Sequence, residues 1–157
     1  MAGLSDISVS NYTQLQWLTS TGGMNWGTAA DISTLGEVTS IGELGDEKTI
    51  IDVQSYGVDY LRKLTGTANA GPIDFVVNIN PDDATHQWMF NLYETGARET
   101  FRLTMFDPSL TDGNYVEFTG FVASKSQGNE FDAARTVTFS VAIDGAIGAL
   151  TEWVAPT

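Results

Sequence analysis

From Ile73 onward, apolar and polar residues alternate with a period of two, and that alternation leaves few folds open. Ile73, Phe75, Val77 and Ile79 face one way, with Asp74, Val76 and Asn78 opposite. Phe101, Leu103 and Met105 alternate with Arg102, Thr104 and Phe106, and Val116, Phe118 and Val122 with Glu117, Thr119 and Phe121. The cleanest run comes last, where Arg135, Val137, Phe139, Val141 and Ile143 oppose Thr136, Thr138 and Ser140. Successive side chains of a strand point to opposite faces, so this pattern predicts sheets with one buried face. Turn residues at Asp107-Pro108, Asp112-Gly113-Asn114 and Ser126-Gln127-Gly128-Asn129 leave connections too short for crossovers. The strands therefore pair antiparallel.

One helix interrupts them, over 80–96. Asn80 reads as its N-cap and Pro81 as its first helical residue. Asp82 and Asp83 place negative charge at the positive end of the helix dipole, and Gly96 supplies a left-handed stop. Trp88, Met89, Leu92 and Tyr93 share one face, which must pack on something. Phe90 points roughly opposite them, as an ordinary exposed aromatic or as a contact with another subunit.

The first half is less regular. Residues 11–18 and 35–44 read as strands with bulges or glycine interruptions, separated by a polar, glycine-rich excursion over 19–27 that contains Trp26. Residues 45–71 hold no steady period, yet carry Ile50, Ile51, Val53, Tyr56, Val58, Tyr60, Leu61 and Leu64. A loop of that length inside a compact domain is usually functional, and this one is too apolar to remain in water, so it reads as a docking loop. The tail from Asp144, with Ile147, Leu150, Trp153 and Val154, is too apolar for an idle terminus.

At 157 residues the chain reads as a single domain over 1–157, and 42% hydrophobic residues with eight Phe, five Tyr and four Trp argue against disorder. Only 17% of residues are charged. That suits a subunit hiding much of its surface against neighbours, and equally a Thr-rich β-protein surface. A net charge of −13 repels nucleic acid. Without Cys there is no disulfide, thiol nucleophile or zinc-thiolate site. The start shows no export signal, and no run of 18 apolar residues offers a membrane span.

Catalysis finds little support. His86 is the sole histidine and reads as structural, at the edge of the helix stripe. Helix-start electrostatics explains Asp82-Asp83 without a metal. The run Gly-Glu-Leu-Gly-Asp-Glu at 42–47 lacks the oxygen-ligand spacing of a calcium loop. No Gly-x-Ser-x-Gly, phosphate-binding loop or His-Glu-x-x-His motif occurs, and a glycosidase pair cannot be told from surface acids. The expectation is no enzyme, no cofactor and no metal.

The order of these segments resembles a known family. It comprises a bulged strand ending Glu37-Val38-Thr39-Ser40-Ile41-Gly42-Glu43-Leu44, a long loop, a strand over 73–80, and the capped helix with its Thr95-Gly96 stop. Phe101-Arg102-Leu103, Phe118-Thr119-Gly120-Phe121-Val122 and a strand closing on Ile143-Asp144-Gly145 follow. Over roughly residues 35–147 the chain is similar to the major tail tube protein of long, non-contractile phage tails. The resemblance implies a mainly β fold of two packed antiparallel β-sheets with one flanking α-helix, shared with the haemolysin-coregulated tube protein of type VI secretion. It also implies hexameric rings stacked into a hollow tube that conducts DNA, with other tail proteins at its ends, in a virion assembled in a bacterial cytoplasm.

By that carry-over, the loop over 45–71 contacts the adjacent ring through Ile50, Ile51, Tyr56 and Tyr60. The arm over 144–157 contacts a neighbour through Trp153 and Val154, with Phe90 a further subunit contact. Residues 1–34 depart from the pattern, as an extra strand or arm. Six copies carry −78, and an acidic, hydroxyl-rich channel lets DNA slide where a basic one would grip it. Thr136, Thr138 and Ser140 are the expected channel lining, with Thr104 and Glu117 as further candidates. The competing reading is a monomeric carbohydrate-binding β-sandwich, whose sugar platform would be Trp17, Trp26, Tyr115 and Trp153.

Overall fold

Among the described residues, eight strands form one antiparallel sheet, seven of them in the order β2-β1-β7-β8-β9-β6-β3, with β10 added beside β8. The computed structural model describes residues 12–19 and 25–157. The strands are β1 (Thr13–Leu18), β2 (Ile32–Thr34), β3 (Val38–Ile41), β4 (Asp46–Val53), β5 (Arg62–Ala70), β6 (Ile73–Asn78), β7 (Glu99–Phe106), β8 (Gly113–Gly128), β9 (Thr136–Ile143) and β10 (Thr151–Glu152). The one α-helix among the described residues, α1 (Ala84–Thr95), lies between β6 and β7. The chain is thus mainly β with one helix, and β4 pairs with β5 as a separate two-stranded sheet. Of the expected N-terminal extension, residues 1–11 and 20–24 lie outside the described residues. The described part supplies β1 and β2 to the main sheet.

The period-two runs bury the side predicted. Ile73, Phe75 and Val77 of β6 lie beside Val137, Phe139 and Val141 of β9, with Phe118 and Val122 of β8 next to them. Phe101 and Leu103 of β7 and Leu15 and Trp17 of β1 complete the same core. The sheet curls until β3 faces β1 and β7 across a groove lined by Val38, Ile41, Thr13, Leu103 and Met105.

Helix α1 closes the core from one side. Met89 and Leu92 are buried, Trp88 stacks on Trp17 at 4.2 Å between ring centroids, and Phe101 meets Trp88 edge-on. Burying an aromatic or aliphatic side chain of this size contributes about 1.5–3 kcal/mol, so this face holds the helix down. Phe90 does not stand away from the packed face. Its ring meets Phe139 edge-on at 5.2 Å, and Lys125 lies over it while pairing with Glu94.

The helix begins later than the sequence suggests. Asp83, not Asn80, is the N-cap, and its carboxylate accepts from Thr85 N and Thr85 Oγ1. Asn80 is engaged in the preceding turn, where its side chain accepts from Asp82 N and its carbonyl from Asp83 N. The hydrogen bond from the Thr85 hydroxyl holds the Asp83 carboxyl below its ordinary value. A depressed folded value means that this capping stability is present above the ordinary carboxylate range and is lost as pH falls from there through the lowered folded value. Gly96, at φ 66°, ends the helix as predicted.

His86 fastens this helix start to the β2–β3 connection. It is buried, its Nδ1 accepts from Asn80 N, and its Nε2 donates to Gly36 O at 2.7 Å. Accepting at Nδ1 requires the proton on Nε2, so both ring nitrogens are satisfied within the subunit. The structure gives this histidine a scaffolding task.

Candidate assembly surfaces

The segment over 45–71 is a β-ribbon, not an irregular loop. β4 and β5 pair from Asp46↔Ala70 to Val53↔Arg62, with a register shift between Lys48 and Ile50. Every β4 residue is exposed, so the ribbon stands off the body, and the hydrogen bond from Gly71 N to Gly45 O closes its base. Eight large apolar side chains between Ile50 and Leu64 face solvent, among them Ile50, Ile51 and the almost wholly exposed Tyr56 and Tyr60. Exposed apolar patches on this scale mark interaction surfaces.

A second surface is the outward face of β9. Thr136, Thr138 and Ser140 are half-buried and alternate with core residues. They stand opposite Asn78, Val76 and Asp74 on β6, and opposite Gly128, Ser126 and Ser124 on β8. The face is hydroxyl-bearing with one carboxylate, and these positions include no basic side chain.

Thr104 does not join it. It is buried, and its hydroxyl donates to Gln16 Oε1 at 3.0 Å, so it cannot line a channel. Its side of β7 is covered by structure the alternation could not reveal. Arg102 lies between the rings of Trp26 and Tyr115, 4.0 Å from each centroid, and reaches Glu117 at 3.3 Å. Glu117 is held there, seven residues along β8 from Ser124, or roughly 23 Å of strand.

The C-terminal arm, expected to reach a neighbour through Trp153 and Val154, folds onto its own subunit. β8 is 16 residues long, but β9 pairs only with its second half. The arm fills the edge this leaves. Asp144 N reaches Thr119 O, Gly148 N reaches Glu117 O, and Thr151 and Glu152 pair with Tyr115 and Asn114. A Cβ at Gly148 would sit 3.0 Å from Glu117 O, so glycine permits this approach. Trp153 packs edge-on against Phe106, and Thr157 exchanges backbone hydrogen bonds with the 27–29 loop. Val154 remains exposed.

These contacts also dismantle the sugar platform. Trp17 is buried under Trp88, Trp26 and Tyr115 enclose Arg102, and Trp153 covers Phe106. Among the described residues no three His, Asp or Glu side chains group as a metal site, and no helix is long and apolar enough to cross a membrane.

The sequence matches no family model and no curated protein. Solved structures do match. The tail of an empty gene transfer agent particle, refined with C6 symmetry, has 13% identity and a TM-score of 0.66, over 92% of this chain and 99% of that one. The SPP1 tail tube aligns over 92% of this chain and 77% of its own, with 10% identity and a TM-score of 0.61. The chain has a tail-tube fold. A baseplate structure of the anti-feeding prophage, 6-fold symmetrised, widens the comparison, with 6% identity and a TM-score of 0.69 over 96% and 97% of the two chains. Within that fold, the ribbon and the hydroxyl face of β9 are two surfaces that the described residues leave wholly or partly exposed.

Proposed function

We propose that this chain is a structural subunit of a phage tail tube, in which six copies close a ring and rings stack into a hollow cylinder. The carrying observation is the β4–β5 ribbon, whose eight large apolar side chains are left exposed by the described residues. A second copy supplies that cover when rings stack, with Ile51, Tyr56 and Tyr60 between them and Ile50 at the margin of the contact. The fold, shared with a tail refined in C6 symmetry, supports the six-membered ring. Phe90 and Val154 are further subunit contacts, and other tail proteins cap the two tube ends. The tube is part of a virion assembled in a bacterial cytoplasm.

The hydroxyl face of Thr136, Thr138 and Ser140 then lines the channel, and DNA passes during ejection without being bound. A subunit of net charge −13 gains nothing from phosphate contacts, so the purified protein is expected to show no DNA affinity even at low salt. Replacing all three residues with Lys adds three positive charges per subunit, or eighteen per ring. Tails built from that variant are expected to keep normal length and to stall or retain DNA during ejection. Unchanged ejection through correctly assembled variant tails would show that β9 does not face the channel.

A further inference from the structure

The ribbon has two chemically different faces. Cross-strand partners share a face, so Ile51 lies with Leu64 and Val53 with Arg62 on one side. Ile50 lies with Thr65 and Asp52 with Lys63 on the other. The Asp52–Lys63 ion pair, 2.8 Å long and more than half exposed at both ends, keeps the second side wet. The first side is apolar and ends in a guanidinium. Stripping water from it costs little, whereas docking the other side would desolvate an ion pair.

The charge distribution says what covers that face. Residues 46–70 hold three of the chain's seven basic residues but only four of its twenty acids. The rest of the chain therefore sets four bases against sixteen acids, and three of those bases, Arg98, Arg102 and Lys125, are already paired with Asp144, Glu117 and Glu94. The ribbon as a whole carries a net −1, so the match is local: Arg62, at the end of the apolar face, is a base that an acidic rim on the body of another copy of this chain can meet.

Among the described residues the body offers a groove of matching chemistry. The groove between β3 and the β1–β7 side has a volume of about 570 Å³ and an apolar floor of Val38, Ile41, Leu103 and Met105. It runs beside β3, which among the described residues pairs only with β6. Glu37 and Glu43, both exposed, stand immediately before and after the groove-lining run 38–42.

We infer that the Ile51–Val53–Leu64 face of the ribbon docks in the β3 groove of a second copy, with Arg62 drawn to Glu37 or Glu43 at its rim. The inference rests on the tube reading and adds which ribbon face docks and where it is received. A projection and its receptacle at different places on one chain make a heterologous contact, which repeats without closing on itself and so suits stacking.

The chain lacks cysteine, which allows a clean test. Subunits carrying Leu64→Cys and Thr13→Cys together, Thr13 lying on the groove side of β1 beside Met105, are assembled and treated with a short bismaleimide. A ladder of covalent oligomers on a denaturing gel is expected. Thr65→Cys with Thr13→Cys, which moves the ribbon thiol to the ionic face, is expected to give mostly uncrosslinked subunits. Val53→Cys with Thr13→Cys provides a second apolar-face pair should Leu64→Cys hinder assembly. Assembled tubes that give no ladder from the apolar-face pairs, or an equal ladder from the Thr65 pair, would overturn the docking inference while leaving the tube reading intact. Failure of the unsubstituted chain to assemble at all would overturn both.

Discussion

Replacing Ile51 and Tyr56 with Asp is expected to yield a folded subunit that no longer polymerises. Both side chains point into solvent in the isolated chain, Tyr56 fully, so the subunit loses no core packing. Surface changes of that kind usually alter stability by within about 0.5 kcal/mol, so the melting temperature should scarcely move. In a stack the same side chains are covered, and each forfeits roughly 1.5–3 kcal/mol of apolar burial while an added carboxylate must be desolvated. A loss of about 3 kcal/mol per contact weakens association by roughly a hundredfold, and every ring repeats it. Light scattering and thermal melting of the variant check both halves. Normal tubes from this variant would show that the ribbon is not a ring contact.

Deleting residues 148–157 is expected to destabilise the free subunit as well as the assembly. The arm completes the edge of β8, its Trp153 covers Phe106, and Thr157 ties down the 27–29 loop. Removing a half-buried Trp should cost about 2 kcal/mol, which for a chain of this size lowers the melting temperature by roughly 4–8 °C. The uncovered strand edge should also promote irregular aggregation in place of tubes. Thermal melts of the full and shortened chains measure the first effect. An unchanged melting temperature with lost assembly would show that the arm acts only between subunits.

The two corrections to the arm and to Thr104 have one cause. Alternation reveals that a strand has two faces, and it does not reveal what a distant segment lays over one of them. Thr104 reads as outward because it is polar, yet Gln16, 88 residues earlier in the sequence, meets its hydroxyl. Phe106 reads as outward too, and a tail residue 47 positions later buries it. The free edge of β8 arises because a 16-residue strand meets shorter partners, a mismatch that no local pattern records.

β6 and β9 were legible because they are central strands with a single buried face, and their core residues follow the period without exception. The ribbon was legible as apolar and interactive but not as two strands. Exposure on both sides removes the reason for residues to alternate, and the shift between Lys48 and Ile50 breaks what period remains. At the helix start two capping residues compete within 80–83, and the choice falls to Asp83 because Asn80 is already spent on its own turn. Phe90 was misplaced on the helical wheel because the sheet curls far enough for Phe139 to reach it.

The most direct test of a tube subunit is electron microscopy of the purified chain across a concentration series. Hollow tubes with six-fold symmetry in end-on views are the expected result, and dispersed 16.9 kDa particles at every concentration would contradict it.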